Sequence, residues 1–534
     1  MAANADDDIL PFPTLQPNPL PQREEPEKAS SLAAPGAVGE PTPTPTSASE
    51  VNESSRASST TGTTTPNGSS SLTSLLAAYE RKPDADKDAG NRPLDHYKAR
   101  LPAWRNSLRN AVLPLIRWET PHLAEVQRWA RTPALDVYFG LTANLGTHTF
   151  YVISLPLGFW VGAPGLARSI VFVLAFGVFL TGVLKDLLCL PRPLSPPLHR
   201  ISMSGSAALE YGFPSTHTAN AVSVGLLVNR VLVDNMAPGP AYYTFQGLNV
   251  LYVLSITLGR VYCGMHGFLD VLTGAVIGAL LYWARMTSGP AVDRLLLAPG
   301  AIVPIVAWVL AIIVAVRLHP EPADDCPCFD DAVAFMGVMA GMAVGQWCFA
   351  AAYPGSNGGI PYDLQHTGAT GTALRLVLGV ALIAVWRPTM KRALHRLLPP
   401  LFRSIERHGL SMPRRFFTPA SEYKNVPAKI ADATFVEPYA FSSLFSGMRR
   451  AKRADSVGPQ STADVYESIA YRRYKKQDEP ATKEDELKEA EMLSQVVRPR
   501  VKYDVEVVTK LIVYAGVAII ATHFCGVLFL ILNI

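Results

Sequence analysis

Three short polar stretches place histidine, lysine, arginine and aspartate at the ends of long apolar runs. They are KDLLCLPRP at 185–193, PSTH at 214–217 and GRVYCGMHGFLD at 259–270. Ionisable side chains beside membrane helices are energetically costly and usually functional. The cations Lys185, Arg192 and Arg260 favour an anionic ligand, because a guanidinium offers a planar fork that matches phosphate oxygens and an ammonium offers a compact charge. The residue types therefore predict a phosphate-binding site.

The order of the apolar runs predicts that these stretches meet. The first stretch follows the second apolar run, the next precedes the third run, and the last lies between the fourth and fifth runs. The first two therefore lie on one side of a membrane, and two further crossings return the chain to that side. Taken singly, an arginine at the end of a span is usually a headgroup anchor. Convergence of all three stretches on one face argues for a common site instead.

The two histidines suggest how a phosphate ester would be cleaved there. His266 and Asp270 are four residues apart and share one face of a helix, so the carboxylate can hold one imidazole nitrogen while the other attacks phosphorus. His217 would then protonate the departing alkoxide. Ser215 and Thr216 add hydroxyl donors at a helix N-terminus, which itself favours phosphate. Such a reaction requires no metal ion and no cofactor.

Long apolar runs dominate the middle of the chain and define the predicted fold. Of the 534 residues, 49% are hydrophobic and 17% are charged, whereas soluble proteins carry about a quarter charged residues. A spanning helix needs about 20 mostly apolar residues. We therefore predict an all-α, polytopic membrane helical bundle with about eight or nine transmembrane helices. The candidate runs are 135–161, 167–189, 218–236, 245–262, 267–285, 296–317, 332–352, 371–387 and 509–533.

Composition divides the chain into five predicted regions. Residues 1–103 are rich in Pro, Ser and Thr and bury too little apolar surface to fold, so we expect disorder. Residues 104–131 mix arginine and tryptophan with apolar residues, as an amphipathic helix at the bilayer surface does; an ordinary soluble amphipathic helix is the alternative. Residues 132–390 hold the membrane core, 391–508 form a polar, basic segment facing solvent or headgroups, and 509–534 form a C-terminal transmembrane helix.

Composition also argues against several other classes of protein and site. The net charge of +4 and the lack of a basic stripe argue against nucleic-acid binding. Six cysteines are too few for a disulfide scaffold. Cys326 and Cys328, with one residue between them and no neighbouring histidine, do not match a zinc site. The N-terminus lacks the basic and apolar regions of a cleaved signal peptide. In the polar segment, good helix formers predict a helix at 480–495.

The spacing of the three stretches resembles a known signature. Lys-x6-Arg-Pro, Pro-Ser-x-His and Arg-x5-His-x3-Asp, in this order, resemble the three-part motif of the type 2 phosphatidic acid phosphatase superfamily, which includes lipid phosphate phosphatases and vanadium haloperoxidases. The resemblance implies a six-helix type of phosphatase core and a metal-independent reaction. It also implies a general acid at His217, a nucleophile at His266 that becomes a phosphohistidine, and an orienting partner at Asp270. The residues that it assigns to phosphate are Lys185, Arg192, Ser215, Thr216 and Arg260.

Departures from the common motif indicate one branch of this superfamily. Thr216 stands where many members have glycine, and Gly259 stands where many have serine. Together with the sequence RVYCGMH, they resemble the sphingosine-1-phosphate phosphatases, including the fungal long-chain-base-phosphate phosphatases. This resemblance implies hydrolysis of sphingoid long-chain base 1-phosphates, such as the dihydrosphingosine, phytosphingosine and sphingosine 1-phosphates.

Two alternatives to this function remain open. A broader lipid phosphatase would accept phosphatidate or an isoprenyl pyrophosphate. A non-catalytic membrane transporter or scaffold on the same fold would be expected to have lost His217, His266 or Asp270, and all three residues are present.

The resemblance also implies a location, a multi-pass protein of the endoplasmic reticulum membrane with its active site facing the lumen. The arginine-rich flanks of the first predicted span favour the opposite orientation, because positive flanks usually stay in the cytosol. We take the lumenal orientation as the expectation.

Overall fold

The structure, a computed structural model, describes residues 89–146, 148–194, 198–201, 209–410, 414–427 and 501–534. The disorder predicted for residues 1–88 and the helix predicted at 480–495 lie outside these ranges. Within them, the one sheet is a parallel pair of two-residue strands, β1 (Phe417–Thr418) and β2 (Lys502–Tyr503). The predicted all-α class is therefore confirmed.

Helices form almost all of the regular structure in the described ranges. Those before the first polar stretch are α1 (Leu94–Arg100), α2 (Ala103–Ala130), α3 (Pro133–Thr142) and α4 (His148–Trp160). The helices that flank the polar stretches are α5 (Pro164–Leu188), α6 (Thr216–Asn235), α7 (Pro240–Tyr262) and α8 (Phe268–Leu297). Those that follow are α9 (Ile302–Leu318), α10 (Cys328–Ala352), α11 (Leu364–Arg407), α12 (Val505–Ile519) and α13 (Cys525–Ile531).

Five of the described helical segments are long and apolar enough to cross a bilayer: α5, α8, α10, α11 and the continuous α12–α13 segment. The helix α9 is apolar but shorter, with 17 residues. The chain is a multi-pass membrane protein, whereas the predicted count of eight or nine spans is not confirmed. The run predicted at 135–161 needs correction, because a 3-10 turn at Ala143–Gly146 interrupts it and leaves the separate helices α3 and α4.

The bundle core is centred on α10, which packs against α5 and against α12. Met336 and Met339 of α10 are buried in this core together with Leu174 of α5. A Cβ atom at Gly341 would lie 2.0 Å from the carbonyl oxygen of Ala515. Glycine therefore permits the close approach of α10 to α12.

A second close approach, between α6 and α8, positions two of the polar stretches. A Cβ atom at Gly274 of α8 would lie 2.5 Å from the carbonyl oxygen of Ser215, and one at Gly278 would lie 2.4 Å from that of Ala219. The two glycines thus let the N-terminal turn of α6 lie directly against α8.

The helix α2 matches the segment predicted at 104–131 and packs on the end of α5. Arg105 is buried, and its Nε donates to the carbonyl oxygen of Leu187 at 2.9 Å. Arg109 is also buried, and its Nε donates to the carbonyl oxygen of Cys189 at 3.2 Å. The last carbonyl groups of a helix lack partners within that helix, so these two arginines cap α5. The placement of α2 at the bilayer surface stays a prediction.

The described residues just before α2 are folded, which corrects the predicted boundary of disorder at residue 103. Tyr97 of α1 is fully buried, and its hydroxyl donates to Asp324 Oδ2 at 2.9 Å. The backbone N–H of Gly90 donates to the same oxygen at 3.0 Å. The Arg109 guanidinium lies 3.6 Å from the centre of the Tyr97 ring. These contacts offset the loss of conformational entropy on ordering this segment. The polar composition alone had led us to expect that this entropy cost would keep it disordered.

The segment after the membrane core also departs from the predicted boundaries. The helix α11 continues to Arg407, beyond the predicted limit at residue 390, and the last helical segment begins at Val505. Arg414 Nη1 donates to the carbonyl oxygen of His319 at 2.9 Å. Residues that follow α11 therefore contact the α9–α10 loop, in which Cys326 forms a disulfide with Cys328, the first residue of α10.

Candidate active site

The three polar stretches come together where α5 and α7 end and where α6 and α8 begin. Arg192 Nη1 of the first stretch lies 3.3 Å from His266 Nε2 of the third. The backbone N–H of Ser215, in the second stretch, donates to the carbonyl oxygen of Asp270 at 3.0 Å. The structure thus places the predicted residues in one cluster.

Three cations of this cluster are almost completely buried. Lys185 lies in the last turn of α5, Arg192 in the loop that follows it, and Arg260 in the last turn of α7; their exposed fractions are 1%, 3% and 6%. Arg260 Nε is buried and has no hydrogen-bond partner among the described residues. Buried charges need a counter-charge and hydrogen bonds to offset their desolvation, so the cluster favours an anion.

A carboxylate that the sequence analysis did not single out, Glu210, contacts two of these cations. Its Oε1 pairs with Lys185 Nζ, and its Oε2 lies 2.8 Å from Arg192 Nη2. Burial alone would raise the pKa of Glu210, but the positive charges of Lys185 and Arg192 hold that pKa well below its usual range. Glu210 is therefore ionised, and it sits at the donors predicted for phosphate.

His266 lies in the loop before α8 and is held by the first turn of that helix. Its Nδ1 lies 3.4 Å from Asp270 Oδ2 and makes no hydrogen bond with the described residues, while the Gly267 N–H donates to that Oδ2 at 2.9 Å. The Nε2 atom is the one near Arg192. Burial, with the positive charges of Arg192 and Lys185, lowers the pKa of His266 well below its ordinary value. The imidazole is therefore neutral near pH 7, as a nucleophile must be.

The start of α6 supplies the remaining predicted residues. Ser215 is buried and caps the helix, with its Oγ accepting from the Thr218 N–H at 3.4 Å. Thr216 Oγ1 lies 2.9 Å from Thr181 Oγ1. His217 is half-buried and close enough to influence the pKa values of Glu210 and His266. Ser215 thus has the ordinary role of a helix N-cap, and its role toward phosphate stays a prediction.

The helix α2 contributes two further residues that sequence reasoning missed. Glu119 is buried, and its Oε2 accepts a hydrogen bond from the Leu269 N–H at 3.0 Å, at the N-terminus of α8. Gln127 Nε2 donates to the carbonyl oxygens of His199 and Tyr262, both at 2.7 Å. A carboxylate or amide on an amphipathic helix is usually solvent-facing, so the sequence offered no signal for either role.

A group of possible metal ligands in the described ranges lies beside this cluster. Asp186, adjacent to Lys185, is fully buried and close to Cys326 and Cys328. The two sulfur atoms are joined in a disulfide, whereas a cysteine binds metal as a thiolate. The group as it stands therefore offers one carboxylate, which is too few ligands for a structural site.

Comparison with known proteins identifies relatives of the chain. Residues 166–293 match the family model of the PAP2 superfamily, and this range contains all eight predicted site residues. No solved structure matches the chain.

Two fungal relatives are similar over most of their length. The dihydrosphingosine 1-phosphate phosphatase C823.11 of Schizosaccharomyces pombe is 40% identical over 304 residues, which cover 56% of this chain and 73% of that protein. The dihydrosphingosine 1-phosphate phosphatase YSR3 of Saccharomyces cerevisiae is 36% identical over 322 residues, which cover 59% of this chain and 78% of that protein.

A human relative is less similar and matches a shorter part of the chain. Human sphingosine-1-phosphate phosphatase 2 is 29% identical over 247 residues, which cover 45% of this chain and 57% of that protein.

We predict that His266 stays neutral as the pH falls through about 6.5, the ordinary pKa of histidine. Its folded-state pKa is lowered, so below that pH the unfolded state binds the proton first and folding stability falls. The measurement is an NMR titration of histidine-labelled protein in detergent, with the His266 signal assigned by its loss in His266→Gln. A midpoint at or above about 6.5 would contradict the geometry.

Proposed function

The chain belongs to the PAP2 superfamily and to its sphingosine-1-phosphate phosphatase branch, and on this basis we propose that it hydrolyses sphingoid long-chain base 1-phosphates. The observation that carries the proposal is the convergence of Lys185, Arg192 and Arg260 on the neutral imidazole of His266. Enzymatic phosphoryl transfer rests on positioning and on stabilisation of charge, and this cluster provides both. The names of the relatives supply the substrate class.

In the first proposed step, the three cations bind the phosphate oxygens and His266 Nε2 attacks phosphorus. The phosphorus–oxygen ester bond breaks as the nitrogen–phosphorus bond forms, and His217 donates its proton to the departing alkoxide. The imidazolium that forms on His266 keeps its Nδ1 proton toward Asp270, 3.4 Å away. Asp270 thus orients the ring and stabilises its developing positive charge.

In the second proposed step, water replaces the histidine on phosphorus. His217, now neutral, accepts a proton from the attacking water, and the nitrogen–phosphorus bond breaks to release inorganic phosphate and neutral His266. Each group returns to its starting protonation state. The cations stabilise the equatorial oxygens in both transition states, and no step draws on a metal ion.

The proposal predicts phosphate release from dihydrosphingosine 1-phosphate by the purified protein in detergent, with a chelator present. His266→Ala should lower kcat by about a thousandfold or more, because removal of a covalent nucleophile leaves only binding and charge stabilisation. Phosphatidate and an isoprenyl pyrophosphate should be poorer substrates. The matched control is His122→Ala, on the exposed side of α2.

Other outcomes of this assay each have a definite meaning. Equal activity on all three lipids would favour the broader lipid phosphatase. Activity that requires magnesium, or that survives His266→Ala, would contradict the phosphohistidine mechanism. No release from any lipid would favour the transporter or scaffold.

We also propose that the protein resides in the endoplasmic reticulum membrane with the catalytic cluster facing the lumen. Lys185 lies in the last turn of α5, and the next residue, Asp186, has its Oδ2 3.6 Å from Nδ1 of His319 in the α9–α10 loop. The Cys326–Cys328 disulfide joins the end of that loop to the first residue of α10. Disulfides persist in oxidising compartments such as the lumen of the endoplasmic reticulum. The disulfide therefore supports the lumenal orientation, whereas the arginine-rich flanks of the first predicted span favour the cytosolic one.

This orientation can be tested with a single substitution. Asn425 is exposed on the segment that contacts the α9–α10 loop, and Pro427→Thr creates the glycosylation sequence Asn-Val-Thr there. Expression with microsomes should give a glycosidase-sensitive increase in mass, absent when Asn425→Gln is added. An unmodified chain, with glycosylation intact in a secreted control protein, would place the cluster in the cytosol.

A further inference from the structure

Glu210 holds the donors that a substrate phosphate must use. One carboxylate oxygen pairs with Lys185 and the other with Arg192, at 2.8 Å. The Glu210 side chain is 32% exposed, whereas those of Lys185 and Arg192 are 2% and 4% exposed. Glu210 therefore lies on the more exposed side of the two cations.

The backbone of Glu210 is anchored even though its side chain is partly exposed. Arg192 Nε donates to the Glu210 carbonyl oxygen at 3.2 Å. The next residue, Tyr211, is fully buried, and its hydroxyl donates to Asp324 Oδ2 at 3.1 Å. When a phosphate binds the two cations, the carboxylate must rotate away from them, but its anchored backbone keeps it beside the phosphate.

A carboxylate next to a phosphate dianion is unfavourable unless a cation lies between them, because like charges at close range repel. A sphingoid base 1-phosphate carries such a cation. Its ammonium is on the carbon next to the one that bears the phosphate ester, within a few ångströms of the phosphate oxygens. Phosphatidate and N-acylated sphingoid phosphates have no ammonium at that position.

We propose that Glu210 is a specificity residue that exchanges Lys185 and Arg192 for the substrate ammonium when the phosphate binds. This inference rests on the proposed function and names the feature of the substrate that is recognised. The carboxylate stabilises a bound phosphate monoester that carries a neighbouring ammonium and destabilises one that lacks it. Attraction of the correct substrate and repulsion of the wrong one thus arise from the same group.

The test compares three substrates of matched chain length: dihydrosphingosine 1-phosphate, its N-acetylated derivative and phosphatidate. Wild-type protein should prefer the free amine. Glu210→Gln should lower the ratio of kcat/KM for the amine to that for the N-acetyl derivative by about 10- to 100-fold, the range for losing a hydrogen bond to a charged partner. The matched control is Glu125→Gln, an exposed carboxylate of α2, which should leave the ratio unchanged.

Inorganic phosphate provides a second measurement that does not involve an ammonium. Its inhibition constant should fall in Glu210→Gln, because the competing carboxylate charge is gone, and this result also shows that the variant keeps a folded phosphate site. An unchanged or weakened inhibition by phosphate would contradict the displacement of Glu210.

Two outcomes would overturn the assignment. Equal gains in kcat/KM for all three substrates would make Glu210 a simple competitor of phosphate, and equal losses would make it only an orienting partner of the cations. Failure of the inference is distinct from failure of the proposed function. In the former case wild-type protein hydrolyses sphingoid phosphates and the variant keeps the preference, whereas in the latter the wild-type protein does not act on them.

Discussion

Burial of three positive charges in one place is the constraint on which the rest of this structure depends. Lys185, Arg192 and Arg260 are almost completely removed from solvent, and desolvation of that kind costs several kcal/mol per ion, as an order of magnitude, unless anions offset it. In the structure Glu210 supplies a counter-charge to two of them. The same cost is the physical basis for the proposed binding of phosphate, and burial together with the positive charges lowers the pKa of His266, as the proposed nucleophile requires.

Neighbouring helices hold the residues of this cluster in place from several sides. The helix α2 caps the end of α5 through Arg105 and Arg109 and the start of α8 through Glu119. Close packing at Gly274 and Gly278 fixes α6 against α8. Because the site residues come from four helix ends, a small displacement of any one helix would separate His266 from the cations. This explains why so many buried polar contacts lie outside the motif residues themselves.

The sequence was sufficient to predict which residues form the cluster, but it did not predict the residues that surround and support them. The helical class and the meeting of the three polar stretches followed from apolar run length and the order of crossings, since both are local patterns. Glu210 and Glu119 escaped prediction because a lone carboxylate in a loop or on an amphipathic helix is usually solvated, and only the packing of distant segments buries it. The interruption at Ala143–Gly146 was missed because hydropathy does not report helix continuity.

The most direct test of the account is to trap the covalent intermediate. Purified protein would be mixed with dihydrosphingosine 1-phosphate carrying radiolabelled phosphate and quenched in alkali, in which phosphohistidine survives, before peptide mapping. The account predicts acid-labile label on the peptide that contains His266, and no label in His266→Ala. Label on Ser215 or Thr216, or turnover with no labelled enzyme under conditions that trap a control phosphohistidine protein, would contradict it.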